Sequence, residues 1–372
     1  TAATLRLARD EAADTPALAV AVPAVAALAS LGAALAIGLD RAALTVAIAL
    51  MLPAVAWVWR LRPLPVLRWA MAVVAAAVVA RLAWDPALVD GISPTPIFNA
   101  LLLGYGVPAL GAAFASWSLR RTADDLPKAI VDAAAVLFAG LFALVEIRHL
   151  VNHGDLFAPS FGLTELGLDV ATAFVFSAAA HRVAGRTGSR VVDLASLGVG
   201  VAAVALALVG LLGGRNPAFT GDATPVSALV LGYGLPALAA ALAARLGRKA
   251  GRPDWFVGMQ AITAYALGLA FVTLMVRHAF QGDLLGLWRH TTAQEMWAHS
   301  AAWLATGVAT LGIGVVLASR PVRLASALVV TATACKVFLI DLADAEGVWR
   351  ALSFMGLGVV LIGIALVYQR VL

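Results

Sequence analysis

Leu103-Gly104-Tyr105-Gly106-Val107-Pro108-Ala109-Leu110 recurs as Leu231-Gly232-Tyr233-Gly234-Leu235-Pro236-Ala237-Leu238, 128 residues further on. Other matches keep step with it. Arg148-His149 returns as Arg277-His278 at an offset of 129, Gly154-Asp155-Leu156 as Gly282-Asp283-Leu284 at 128, and Glu165 as Glu295 at 130. Four separate matches at offsets of 128 to 130 residues read as a tandem duplication. Such a repeat sets the whole architecture and the context of every motif within it.

The background of the repeat is apolar. Hydrophobic residues make up 62% of the 372 positions and charged residues 13%, against about 25% charged in a soluble domain. Thr15 to Leu39, Ala42 to Trp59, Gly91 to Leu119, Leu194 to Gly214, Ala223 to Ala244, Trp255 to Val276, Met296 to Ser319 and Ala351 to Gln369 contain no Asp, Glu, Lys or Arg. Each is about the length of a bilayer-spanning helix, roughly 17–25 residues. Shorter apolar runs at Ala70 to Ala80, Ala133 to Val145, Val170 to Ala180 and Leu324 to Cys335 become spans if each admits a charge near an end. Ala and Leu dominate and no period-two alternation runs through them, so helices are expected and strands are not. The reading is an all-α transmembrane protein of about twelve helices.

An offset of 128 residues covers four such helices, so both copies enter the bilayer in the same direction, as parallel tandem repeats. The expected divisions are a polar lead-in over 1–15, a partial repeat over 16–95, copy one over 96–224, copy two over 225–347 and a terminal helix over 348–372. A two-helix half-unit is suggested by Arg81, Arg148, Arg215, Arg277 and Lys336, each followed shortly by an aspartate.

Arg60, Arg62, Arg68, Arg120, Arg121, Lys128, Arg182, Arg186, Arg190, Arg245, Arg248, Lys249, Arg252, Arg320, Arg323 and Arg370 all follow even-numbered helices. Lys and Arg gather on the cytoplasmic side of a membrane protein, which places that side and both termini in the cytoplasm. The opposite loops carry Asp85, Asp90, Asp155, Asp222, Asp283, Asp341, Asp344 and Glu346. The net charge of +5 is then explained by orientation next to anionic lipid, without nucleic acid. Membrane lipids and the subunits of an envelope complex are the partners expected. The lone Cys335 offers no intrachain disulfide, and residue 1 is Thr, so a piece of a longer chain is expected.

Gly-Tyr-Gly-x-Pro places a helix-bending proline and two small residues inside a span, which favours packing and a kink. Its likeness to a potassium filter is superficial, because two copies inside long helices do not make four converging loops. More chemistry sits at the outer ends. Arg148, His149, Asp155, Glu165 and Asp169 recur in part as Arg277, His278, Asp283 and Glu295, with Lys336 and Asp341 near the last hairpin. Such residues anchor at the interface and cap helices, or together bind an anionic ligand or move protons. Glu165 and Asp169 are four apart, on one helical face. His149 and His153 are likewise four apart, and His290, Glu295 and His299 form a looser set, but neither matches a zinc signature. No metal or cofactor is expected, and no nucleophile elbow or phosphate loop is present. Asp132 and Asp193 lie near the ends of spans, with Lys128 and Arg190 at hand to neutralise them. Trp84, Trp288, Trp297 and Trp349 read as an interfacial belt.

Lys336 to Arg370, Lys-Val-Phe-Leu-Ile-Asp-Leu-Ala-Asp-Ala-Glu-Gly-Val-Trp-Arg-Ala-Leu-Ser-Phe-Met-Gly-Leu-Gly-Val-Val-Leu-Ile-Gly-Ile-Ala-Leu-Val-Tyr-Gln-Arg, resembles the closing segment of a bacterial family of polytopic membrane proteins, domain of unknown function 2339. The Arg-His and Glu at the outer helix ends are similar too. The resemblance implies a bacterial inner-membrane location and a chain that forms the C-terminal part of a longer protein. It implies no catalytic residues. Transport or export of a polar or anionic envelope molecule is the function expected first. The alternatives are an enzyme acting on a lipid-linked or glycan substrate at the outer face, through His149, Asp155 and Glu165, and a scaffold subunit.

Overall fold

A computed structural model describes residues 26, 27, 30, 34, 41–84, 92, 93, 95–158, 162–316, 318–341 and 348–371. The polar lead-in, nearly all of the first expected span, and Asp85, Asp90, Asp344 and Glu346 lie outside them. The described residues form helices throughout, with one isolated bridge between Ala223 and Leu284.

The chain runs through α1 (Arg41–Leu61), α2 (Pro65–Trp84), α3 (Val107–Ser118), α4 (Leu126–Val151), α5 (Leu163–Thr187) and α6 (Arg190–Ala205). It continues through the short α7 (Pro217–Thr220) and α8 (Val226–Leu229), then α9 (Leu235–Lys249), α10 (Asp254–Gln281), α11 (Ala293–Val316), α12 (Arg320–Lys336) and α13 (Val348–Val371). Wider π-helical segments lead into α3 and α9 and follow α6 and α12. Among the described residues nine stretches are long and apolar enough to cross a membrane: Leu44–Leu61, Pro65–Trp84, Leu126–Val151, Leu163–Thr187, Arg190–Thr220, Val226–Lys249, Asp254–Gln281, Ala293–Val316 and Arg320–Asp341. Of the span expected over Gly91 to Leu119, the helical part begins at Ala100. Bends occupy residues 95–99, and the Asn99 side-chain oxygen accepts the Leu101 N–H at 2.8 Å, an Asx-type start that halts the helix there.

Two compact units emerge. One contains Thr1–Phe161, Thr172–Ala203 and Leu246–Arg252; the other contains Gly162–Ala171, Val204–Arg245 and Pro253–Leu372. In the first, α1 packs on α2 and α3, and α4 packs on α2 and α3. The seam is made of Ala49, Ala56, Ala112, Ala115 and Ala134 with Leu52, Met71 and Phe138 filling between them. Lipid tails are as apolar as leucine, so close packing of small residues, rather than escape from water, holds such helices together. In the second unit α11 packs along α12, α10 lies against α11, and α13 lies against α12. Gly307 on α11 lets Val330 of α12 come so close that an added Cβ would stand 2.6 Å from its methyl.

Candidate functional site

The duplicated motif has the same backbone in both copies. Leu102–Gly106 and Val230–Gly234 are each a five-residue π-turn, and the N–H groups of Val107 and Leu235 donate five residues back, to the carbonyls of Leu102 and Val230. Pro108 and Pro236 come next and donate nothing, so the wider turn re-pairs the backbone where an α-helical ladder would be broken. A Cβ on Gly106 would stand 3.4 Å from the Phe142 ring, and one on Gly234 3.5 Å from Phe271. Tyr105 and Tyr233 are both buried. The Tyr233 hydroxyl donates to the Leu211 carbonyl at 2.5 Å, inside the π-helical segment Leu206–Gly214. Packing is the chemistry of this motif, and the bend takes the form of a widened turn.

Near the C-terminal end of α10, Arg277 is 5% exposed and Glu295 of α11 is fully buried. Arg277 donates to Glu295 Oε1 at 3.0 Å, to the Leu285 carbonyl at 2.7 Å and to the Gly286 carbonyl at 2.6 Å. Gln281 donates to the other Glu295 oxygen at 2.7 Å. The start of α11 is set by Thr292, whose hydroxyl accepts the Glu295 N–H at 3.2 Å, half of a capping box. A guanidinium that ties the loop 282–289 to the first turn of the next helix is thus fully used. His278, by contrast, pairs at the rim with Asp283, 2.9 Å away. Trp288 lies over Gly221 and Gly286, so a tryptophan expected in the interfacial belt also clamps two loops.

The Arg148 segment has a similar device, with variations. Arg148 Nε donates to the Leu156 carbonyl at 2.6 Å and its Nη2 to the Ala158 carbonyl, matching Arg277 on Leu285 and Gly286. Glu165 is buried in the first turn of α5, with Asp169 one turn further on. His149 is buried and its Nε2 lies 3.0 Å from the Ser93 carbonyl, while Asp155 accepts the Phe157 N–H at 2.8 Å. His149 and Asp155 therefore have separate partners. The shared helical face expected for His149 and His153 does not exist: α4 ends at Val151, and His153 takes a φ of 53° in the turn that follows. Gly154 and Gly282 have φ of 98° and 68°, which explains the recurrence of glycine where the chain reverses after each helix.

Several other charged groups have partners of their own. Lys336 donates to Asp341 at 2.7 Å and to Ser300 at 2.7 Å, and Ser300 donates to the other Asp341 oxygen at 2.5 Å. The fully buried Asp132 accepts from Ser116, and the almost fully buried Lys128 donates to the Thr187 carbonyl at 2.8 Å. Asp193 is neutralised by Arg252 at 3.0 Å and His181 at 2.9 Å, where Arg190 was expected. Arg190 follows a turn at Gly188–Ser189 and meets Asp124 through its backbone N–H. Among the described residues, no three His, Cys, Asp or Glu gather as a metal site would need.

A different place in the first unit is open. Between α3, α4, α6 and the 172–187 part of α5 lies a cavity of about 530 Å³. Its walls are Ala113, Ala135, Val136, Ala139, Phe176, Ala179, Ala180, Val183 and Val192. Its polar end carries Ser116, Thr187, Trp117, Arg120 and Arg186. Ala139 lies halfway along α4, so the hollow reaches mid-span. Arg120 and Arg60 both stack on the Trp117 indole, 4.1 and 4.5 Å from its centroid. The alanines at 135 and 139 and at 179 and 180 were visible in the sequence. Small side chains signal close packing as readily as space, so only the helix positions reveal a void.

Helices of this length and apolarity, with buried ion pairs at their ends and alanine-rich seams, define an integral membrane protein. The chain belongs to the family described as predicted membrane protein DUF2339, whose model matches residues 1–371. No curated protein and no solved structure matches it.

Proposed function

We propose that the protein is a transport or export component for an anionic envelope molecule, lying in a bacterial inner membrane with both termini in the cytoplasm. About twelve spans are counted if Thr15 to Leu39, the helix through α3 and α13 join the nine long apolar stretches. The parallel repeat is supported by the two π-turns and by the two arginines that hold their following loops alike. The observation that carries the transport reading is the cavity: apolar walls reach Ala139 at mid-span, and its polar end is cationic. The outer rows serve as loop locks. The substrate path runs through the cavity, whose volume is within the roughly 300–1,000 Å³ of ligand sites.

A single cysteine at position 139, in a Cys335→Ser background, tests this. In vesicles of each orientation, a membrane-impermeant thiol reagent is expected to label Ala139→Cys from both sides as the protein alternates. Labelling from one side alone would contradict transport. It would favour a second reading, a scaffold subunit of an envelope complex, which the thorough pairing of Arg277, Glu295, Lys336 and Asp341 supports. Stoichiometric partners retained in mild detergent would then be expected.

A further inference from the structure

We infer that the cavity of the first unit binds one acyl chain of an anionic phospholipid, with the lipid phosphate held at Arg120 and Arg186. The inference rests on the transport reading for its biological sense and names the class of molecule handled. Its physical basis is separate.

Four features converge on that occupant. The walls contribute only hydrocarbon, from side chains such as Ala139, Phe176, Ala180 and Val183, and offer a straight sugar or peptide no hydrogen-bond partners. The polar end supplies cations whose charge is not already spent. Among the described residues neither of the lining cations, Arg120 and Arg186, forms an ion pair, whereas Arg68 pairs with Asp125, Arg252 with Asp193 and Lys128 with Asp124 in the same unit. Arg120 is held in place without a carboxylate, by the Trp117 ring and by donating to the Trp117 carbonyl at 2.9 Å. Its remaining N–H groups are left for an outside acceptor, and a guanidinium matches phosphate oxygens in two-point geometry. The acid behind this end, Asp132, has Ser116 on one oxygen and Lys128 one turn back along α4, so it presents little repulsion. Finally, Arg120 and Arg186 each stand at or just beyond the end of a helix. A lipid phosphate sits at that depth when its chain runs along the helices.

The test uses the full chain, purified in mild detergent and stripped of lipid, with native mass spectrometry as the readout. Phosphatidylglycerol and phosphatidylcholine of identical acyl chains are supplied together. The protein is expected to retain phosphatidylglycerol preferentially. Each of Arg120→Gln and Arg186→Gln should lower that preference about fivefold, the contribution of one basic group near an anionic surface. Ala139→Phe, which fills the hollow and leaves both arginines, should lose both lipids. Glycerol 3-phosphate, a head without a chain, should not compete. Equal retention of the two lipids would overturn the inference. So would preference unchanged in both arginine variants, or competition by glycerol 3-phosphate, which would point to a soluble phosphate ligand. A folding check by size exclusion accompanies each variant. If Ala139→Phe does not fold, Ala179→Phe on α5 fills the same cavity. Selective retention with one-sided labelling of Ala139→Cys would keep the lipid site and remove transport; two-sided labelling without selectivity would do the reverse.

Discussion

Arg277 concentrates the energetics of the turn between α10 and α11, because one side chain satisfies a buried carboxylate and two loop carbonyls. Removing one partner of a buried pair costs about 3–5 kcal/mol, since the other charge is left without compensation. Arg277→Met should therefore lower the membrane abundance and the detergent melting temperature sharply. His278→Ala, which breaks a pair whose aspartate is more than half exposed, should cost less than about 1 kcal/mol by the same measurement. If the two variants melt alike, the assignment of Arg277 as a loop lock is wrong. Much of this was legible. The recurrence of Arg, Asp and Glu marks equivalent helix ends, and Thr292-x-x-Glu295 is a readable helix start. Which carbonyls an arginine reaches was not legible, because that depends on how the loop folds back.

At the level of elements, the Gly-Tyr-Gly segments act through shape. In the second unit Gly167 of α5 meets the backbone of Leu231 and Gly232 so closely that a Cβ would collide with main-chain atoms on both. Backbone does not yield as a side chain does, so Gly167→Ala should destabilise by about 1–3 kcal/mol or more. Gly185→Ala and Gly198→Ala are the controls. Nothing lies within 4 Å of a Cβ at either position, and replacing a helical glycine should be neutral or favourable by up to about 1 kcal/mol. Thermal unfolding of the three variants in one detergent decides it. Tyr233→Phe leaves the Leu211 carbonyl without its buried donor and should cost about 1–3 kcal/mol. The sequence reading anticipated a proline bend and close packing here. It did not anticipate the π-turn, because propensity says nothing of which carbonyl the N–H before a proline will find.

For the molecule as a whole, the apolar composition and the charge-free segments made a helical membrane protein readable from the chain alone. The number of spans was harder to read. Gly91 to Leu119 lacks charge, yet its Ser, Pro and Asn residues delay the helix to Ala100. The distribution of basic residues still makes a definite topological expectation. In the Cys335→Ser background, Thr122→Cys and Asp222→Cys should be labelled by an impermeant reagent from opposite sides of the membrane, and labelling from one side would refute the orientation. The cavity could not be read in advance, because it is a relation among four helices rather than a pattern within any of them. The most direct measurement is a density map of the protein in a nanodisc of anionic lipid. A chain-shaped density running past Ala139 and ending in a headgroup at Arg120 and Arg186 is the result expected. Helices closed over that space, with Phe176 filling it and no lipid at the arginines, would contradict the transport reading and the lipid site together.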